Sequence, residues 1–542
     1  MFQIPATKAL ILQLFASITI FVFCLPFSCF ALSSANIPLD SPIYSYLDKL
    51  AGLGLVSTDI KGIKPYSKAE AARLLLEAKR NLTQIPDGQS VFANDLIGRI
   101  RELIPREAYL LENPDKKTVT FDYNPISSIR LRNILLDGTA RNYQRDVHDP
   151  GNDGVFGIGS GLRPANPYPS PVHQRGSEGT PLFENNNGVI YGDGYSAELR
   201  WGVEFYWNDD ATAVLEPSVL LGSHNNSIRF NKGYLKIGGK SIELEAGKDE
   251  NWLGPGYRGN ITLTNNADNF TQLKLSSPEP LSLPYLGGLK YSLIASRFER
   301  SITDGVVRQP WFYAVKLSVK PSVNLEIGFN LGRQVAGPGV NNSVGDSLRG
   351  LIGGTSADNS NGLAGFDLRY RIPWLRNSEI YAEMSGEDTA TFWPIVESYV
   401  AGIYMPHLTD DGRNDFRFEF FQGNQILYTH ATFPGGYIYR DMPLGHSQGG
   451  ATQDFLFRGT HWFGSRNNLA LEYIYTNRGM TGRIEDQTVE RKHAGRIFWD
   501  LPLYGDIDGQ FGYGYEKVSN LNLKAGTVQN NQFVKFELRY RY

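Results

Sequence analysis

From Thr118 onward apolar and polar residues alternate with a period of two, and the alternation runs to the end of the chain. In 195–207, Ala197, Leu199, Trp201, Val203, Phe205 and Trp207 share one face, while Glu198, Arg200 and Glu204 share the other. Successive side chains of a strand point to opposite sides, so this period predicts strands with one apolar and one polar face. The same pattern predicts strands over 311–319, 323–331, 416–420, 469–475 and 507–515. The last ten residues show it most plainly, with Val534, Phe536, Leu538, Tyr540 and Tyr542 opposed to Lys535, Glu537, Arg539 and Arg541. With weaker stretches included there are about 18 strands of about 9–11 residues, the length a tilted strand needs to cross a membrane. The polar faces carry both signs: Glu198, Arg200, Lys316, Glu326, Arg417, Glu419, Glu472 and Lys535. A water-soluble sheet can alternate too. Unbroken apolar faces and aromatics at strand ends (Trp201, Trp207, Trp311, Tyr513, Tyr515) favour an all-β, antiparallel transmembrane barrel.

Before Thr118 the period is helical. Tyr44, Leu47, Leu50, Leu53 and Leu55 fall near helical spacing in 41–56. Ser67-Lys68-Ala69-Glu70 forms a capping box, Ser67 accepting an N–H bond and Glu70 reaching back. It opens a helix over 69–82 with Ala71, Leu74, Leu75 and Ala78 in a stripe. A third helix over 92–104 aligns Leu96, Ile100 and Leu103 and is interrupted at Pro105. Three such helices cannot bury a sufficient core alone and must pack on something larger. The expected plan is a leader over 1–31, a small helical bundle over 32–115 and a barrel over 116–542. Long Gly/Asn/Pro-rich links (138–194, 336–362, 423–452, 477–488) face the cell exterior or fold into the lumen.

Composition narrows the class. Hydrophobic residues make up 41% of 542 and the mean hydropathy is −0.30. Helical spans of about 20 apolar residues each would demand far more. A barrel needs apolar residues only at alternate positions. The net charge of −3 points to no nucleic-acid partner. Lys8, an apolar run over 9–30 and a cut after Ala31 have the layout of a signal peptide. Both cysteines, Cys24 and Cys29, lie inside it, so the mature chain is expected to have no disulfide and no cysteine metal site. The expected location is the outer membrane of a Gram-negative bacterium, with lipid as a partner and a monomeric state. The aromatic-ended last strand resembles the signal read by the outer-membrane barrel assembly machinery, and it closes an edge that lipid does not tolerate.

Candidate chemistry is sparse. Gly445-His446-Ser447-Gln448-Gly449 matches a nucleophile-elbow pattern, but that pattern works at a strand–turn–helix apex and here loops flank it. The eight histidines are scattered, and none is paired with a serine by sequence. Asp149-Pro150-Gly151-Asn152-Asp153-Gly154 has oxygens beside glycines, as calcium loops do, yet lacks their spacing and reads as a turn. No catalytic residue, cofactor or metal is therefore expected. The most distinctive stretch is Trp252-Leu253-Gly254-Pro255-Gly256, followed by Leu263-Thr264-Asn265-Asn266-Ala267. It reads either as a structural corner or as a sugar platform. In the second case Trp252 stacks on pyranose rings beside the bare Gly254-Pro255-Gly256 backbone, and Asn265 and Asn266 bond hydroxyls.

These blocks, with Tyr46-Leu47-Asp48-Lys49-Leu50-Ala51-Gly52-Leu53-Gly54-Leu55, Pro65-Tyr66-Ser67-Lys68-Ala69-Glu70-Ala71-Ala72 and Gly445-His446, resemble the capsule assembly Wzi proteins. Leu253 stands where many members have a second Trp. The resemblance spans almost the whole mature chain. It implies an outer-membrane barrel with a periplasmic helical bundle that helps hold capsular polysaccharide at the cell surface, without catalysis. Leu53-Gly54-Leu55-Val56 and 65–70 also resemble a single S-layer-homology module, which some large porins use to grip the cell wall; that alternative implies a solute channel.

Overall fold

The computed structural model describes residues 32–116, 118–151, 165–340, 360–387 and 394–541, with backbone only at 165–169. The expected leader, residues 152–154 of the Gly/Asp turn and Tyr542 lie outside these residues.

Eighteen strands close into one antiparallel barrel, joined by one short extra strand, Leu281–Leu283. They are β1 (Phe121–Asp137), β2 (Gly194–Trp207), β3 (Ala211–Gly222), β4 (Asn226–Gly239), β5 (Ile242–Lys248) and β6 (Thr271–Ser276). Next come β7 (Gly287–Arg297), β8 (Trp311–Ser322), β9 (Leu325–Val335), β10 (Ser360–Ile372), β11 (Ser378–Glu387) and β12 (Val396–Met405). The ring ends with β13 (Asn414–Gly423), β14 (Thr452–Gly464), β15 (Asn467–Arg478), β16 (Glu490–Tyr504), β17 (Ile507–Ser519) and β18 (Val528–Tyr540). Each strand pairs with the next, and β18 returns to β1 in the register Ile129↔Tyr540 to Asp137↔Gln532. Closure leaves no sheet edge to lipid, the condition for strands to span a membrane. The alternation read from sequence holds: Val534 and Phe536 are exposed on the outside, whereas Lys535 and Glu537 are buried within. All eight charged residues assigned to the polar faces are buried in the lumen.

The longest links gather at one end of the ring and most of the shortest at the other. At one end they are short, such as 208–210, 240–241, 323–324 and 465–466; at the other lie the long 138–193, 249–270 and 424–451. The first of these contains a hairpin of Arg141–Gly151 with Ala165–Gly179.

Among the described residues four α-helices precede the barrel: α1 (Ile43–Gly52), α2 (Lys68–Asn81), α3 (Asp87–Leu103) and α4 (Pro105–Glu112). The third helix is interrupted at Pro105 as expected, α3 ending at Leu103; Pro105 then starts α4, because a proline at the first helical position forfeits no hydrogen bond and already has the required φ. Ser67 caps α2 by accepting from Glu70 N at 3.1 Å. The Glu70 carboxylate, instead of reaching back, takes Arg73 Nε at 2.7 Å. The helices share a core of Leu47, Leu50, Leu74, Leu75, Leu96 and Ile100 with Trp462 of β14. They sit on the short-link end. Tyr46 Oη donates to Ser465 O at 2.8 Å, and the buried Lys49 ammonium donates to Pro406 O at 2.6 Å and Gly412 O at 2.9 Å and pairs with Asp415 at 3.0 Å.

Candidate functional site

The lumen is occupied by the N-terminal segment and by parts of three links, 138–193, 249–270 and 424–451. The N-terminal segment reaches β5 through Asn36 Nδ2 to Glu245 Oε2 (2.9 Å), β8 through Asp59 to Lys320 (2.8 Å) and β11 through Lys61 to Glu379 (2.9 Å). Link 249–270 crosses the interior. Asn251 bonds Gln272 of β6 at 2.8 Å, and Arg258 pairs with Asp454 of β14 at 2.6 Å, strands almost opposite in the ring. Between them, Ile261 N donates to Glu383 of β11 at 3.1 Å, and Tyr257 N and Arg258 N donate to Glu419 of β13 at 2.6 and 2.8 Å. Glu184, from link 138–193, bridges Arg258 (3.1 Å) and Arg496 (2.7 Å). Burial alone would raise the Glu184 carboxyl pKa, but the two guanidinium groups outweigh it and hold it well below the usual range.

The six residues singled out by sequence meet at the centre of this plug. Trp252 is 6% exposed, and its indole Nε1 donates to Gly256 O at 3.2 Å. Trp252 and Leu253 pair with Lys64 and Ile63 as a two-stranded ribbon inside the barrel. Gly254 has φ +141° and donates to Gly62 O at 2.8 Å; a Cβ there would lie 2.4 Å from Asn260 Oδ1. At Gly256 a Cβ would lie 1.9 Å from Gly259 O, so both glycines are required by close approach. Pro255 O accepts from Arg369 Nη2 at 3.3 Å. Asn265 Nδ2 bonds Asn187 Oδ1 at 2.9 Å and Asn185 O at 3.1 Å; Asn266 Nδ2 bonds Pro443 O at 3.0 Å. The block thus ties together the N-terminal segment and the two longest links. Its ring and amides are turned to protein, where the platform reading expected them turned to a polymer.

The elbow-like 445–449 lies in the same plug. Ser447 is fully buried and followed by β14, not by a helix; its Oγ accepts from Gln448 Nε2 at 3.2 Å. His446 stacks on Phe421 with ring centroids 3.7 Å apart, and burial pushes its imidazole pKa down to about 3, so it is neutral. Of the calcium-like turn, Asp149 Oδ1 accepts from Gly151 N at 3.0 Å.

Sequence reasoning passed over the open feature at the long-link end. A cleft of about 310 Å³ lies between 298–310 and 433–441. Its floor is aromatic: Phe298 and Tyr439 are buried with ring centroids 4.8 Å apart, beside Phe433. Its rim is polar, with Arg300, Arg308, Arg440 and Glu299, and the buried Gln334 lines it below. Arg440 grips Glu299 through two bonds of 2.6 and 3.0 Å, and Arg308 Nε donates to Thr432 O at 2.7 Å. One wall is a hairpin, Ser301–Thr303 with Val306–Arg308, turning at Asp304-Gly305 with φ of 51° and 75°. That Asp-Gly pair is the one local signal for this wall. Its pairing with 433–441 is tertiary and leaves no periodic trace.

Residues 163–533 match the family model described as capsule assembly protein Wzi. The chain belongs to this family. Among solved structures, Wzi of Escherichia coli, described as an outer-membrane, carbohydrate-binding β-barrel involved in group 1 capsule assembly, aligns over 94% of this chain and 99% of its own. The TM-score is 0.65 at 16% identity, a likeness of fold. Pseudomonas aeruginosa OpdQ aligns over 76% of this chain and 96% of its own with TM-score 0.39 and 10% identity, and OccK11 of the same organism over 78% and 95% with 0.40 and 11%. At those scores the likeness carries no weight. No curated protein matches the chain by sequence. Membership in the Wzi family places the barrel in the outer membrane.

Proposed function

We propose that this protein retains surface polysaccharide at the outer face of the outer membrane, through the cleft at the long-link end of a filled barrel. Family membership supports this reading, as does the carbohydrate binding described for Wzi of Escherichia coli. The observation that carries it here is the cleft itself: an aromatic floor suits the C–H faces of sugar rings, and guanidinium, carboxylate and amide groups at the rim suit hydroxyls and acidic substituents. Many weak contacts along one polymer add by effective concentration, so no deep pocket is needed. In this reading the short links and the helices face the periplasm, as short turns do in such barrels, with a leader over 1–31, a bundle over 32–115 and a barrel over 116–542. The barrel is a monomer in contact with lipid, inserted by the assembly machinery through β18. The Trp252–Asn266 block acts indirectly, by holding the links that form the cleft. An interior crossed from β6 to β14 does not favour the solute-channel alternative. No catalytic step is assigned.

The test replaces exposed rim residues that carry no side-chain fold contact in the account above: Arg300→Ala with Ile302→Ser. Folded protein in the membrane should stay at the wild-type level while polymer moves from cells to medium, and purified protein should retain less polymer. Wild-type retention by the double variant at normal protein level would remove the cleft from the function.

A further inference from the structure

Ahead of α1 the chain is already tied to the barrel. Residues 33–35 run between the first turn of α2 and the short link 208–210. Ser33 N donates to Asp209 O at 2.7 Å and Ala69 N to Ser34 Oγ at 2.9 Å. Lys236 Nζ of β4 donates to Ser34 O at 3.0 Å, and Lys68 N to Ala35 O at 2.9 Å. Ser33, Ser34 and Ala35 are all buried. A leader cut within 33–35 would discard part of this anchorage. The cut expected after Ala31 keeps every bond of it and falls one residue outside the first docked one.

That cut changes the charge at the docked end. Before it Leu32 N is a neutral amide; after it the nitrogen is an α-amino group, whose ordinary pKa of about 7.7–8.0 keeps it mostly protonated at neutral pH. The corner it enters is short of cations. Lys68 pairs with Glu204 at 2.6 Å, Arg106 with Glu107 at 3.3 Å and Lys236 with Glu243 at 2.9 Å. Asp209 and Asp210 of the short link have no cation partner among the described residues. Asp209 Oδ1 is in addition buried without a hydrogen bond, a costly condition for a carboxylate oxygen. Burial lifts the Glu107 carboxyl above its usual range despite Lys68 and Arg106, as a corner richer in acid than in base would have it. Leu32 N lies one residue, roughly 3.5 Å of chain, before Ser33 N, whose partner is the carbonyl of the same Asp209.

We propose that removal of the leader is a docking switch: the α-ammonium it creates at Leu32 pairs with the Asp209 carboxylate and locks the N-terminal segment into the short-link mouth. The proposal rests on the reading of 1–31 as a leader. Hydrolysis breaks the bond from Ala31 C to Leu32 N. The hydroxyl of water goes to Ala31 and its hydrogen to Leu32 N; the new carboxyl then loses a proton to solvent and the new amine gains one. An amide at Leu32 offers one neutral N–H, whereas the ammonium offers a charge-assisted bond, roughly twice as strong. The segment leads directly into α1 and α2, so closure of the mouth by the helices is coupled to processing. A chain that keeps its leader lacks the lock.

The experiment uses the full mature chain, purified from membranes and folded in detergent. Its first residue, read by mass, should be Leu32. At neutral pH an amine-reactive reagent should label the Leu32 amine at least about tenfold more slowly in folded than in heat-unfolded protein, because a paired ammonium gives up its proton less readily. Asp209→Asn keeps the shape and removes the charge; it should speed labelling of folded protein roughly tenfold, the worth of one charge-assisted contact. Asp210→Asn, on the exposed neighbour, should leave labelling unchanged. A chain refolded with Gly-Ser ahead of Leu32 carries its ammonium two residues away. It should be cut by protease within 32–116 roughly tenfold faster, and Asp209→Asn should add nothing in that background. Heat-shifted mobility on a gel establishes that the barrel of each variant is folded. Equal labelling of folded and unfolded wild type, unchanged labelling in folded Asp209→Asn, or an equal effect of Asp210→Asn would overturn the proposal. So would undiminished protease resistance of the extended chain, or a further loss when Asp209→Asn is added to it. A mature chain that begins elsewhere would overturn the leader reading and the switch together, whereas failure on a chain that does begin at Leu32 would overturn the switch alone.

Discussion

Replacing Lys49 with methionine tests how the helices are held at the short-link mouth. The Lys49 side chain is fully buried; it donates to two carbonyls, Pro406 O and Gly412 O, pairs with Asp415 at 3.0 Å and lies 5.7 Å from the centre of the Trp462 ring. Burial pulls its ammonium below the ordinary lysine pKa, while Asp415 favours the charged form. Methionine keeps most of the volume and removes all three polar partners at once. Asp415 keeps its bond from Trp462 Nε1 at 2.7 Å but loses its cation. Breaking a buried pair from one side costs about 3–5 kcal/mol, because the remaining charge stays desolvated. At about 1.4 kcal/mol per factor of ten, undocked helices become roughly a hundredfold to a few thousandfold more populated. Limited proteolysis of folded protein in detergent reads this directly: the variant should be cut within 32–116 while the barrel resists, and single-channel recordings should show openings that wild type lacks. Adding Asp415→Asn removes the orphaned charge and should restore most of the resistance. Wild-type proteolysis of Lys49→Met, or a double variant more fragile than the single one, would refute the clamp.

Three further outcomes follow from the plug. At Gly259 a Cβ would lie 2.3 Å from His446 Cδ2, so Gly259→Ala should lower the temperature at which the barrel loses its heat-resistant gel mobility, and His446→Ala should recover part of the loss. Trp252→Ala should cost about 3–5 kcal/mol as a large buried ring is removed; heat resistance should fall first and polymer loss should track folded protein, whereas polymer loss at normal protein level would restore Trp252 as a contact. Ser447→Ala should leave polymer retention intact and ester turnover absent in both proteins; turnover by wild type but not by the variant would overturn the non-catalytic reading.

The barrel was legible because lipid on one side and a polar lumen on the other impose the same period on every strand. The strand predicted over 195–207 is Gly194–Trp207, and 469–475 widens to Asn467–Arg478. Short segments without period two were harder. The break at Pro105 is real, α3 ending at Leu103, but the same proline is also the first residue of an unforeseen α4, since the rule that forbids proline inside a helix favours it at the start. The Trp252–Gly256 block stood out by composition, but its surroundings are set by contacts with residues near 63, 186 and 444, which no local pattern encodes. The mixed charges of the strands were visible singly. Their assembly into pairs such as Arg258–Asp454 depends on a link crossing the lumen.

The ribbon of Ile63–Lys64 with Trp252–Leu253 has a consequence for the order of events in biogenesis. It lies within the ring, and the contacts around it join residues far apart in the chain, 213 positions for Asn36 with Asp249 and 419 for Tyr46 with Ser465. Such contacts form slowly, because long loops must close before any reward is gained. The last wall contact to become possible during synthesis is β18 on β1. A shut ring would admit its charged contents only through its two mouths, one of them under the helices. The interior must therefore gather while β1 and β18 are still apart, so the seam between them works as a timer: it stays open until the early part of the chain has found the middle.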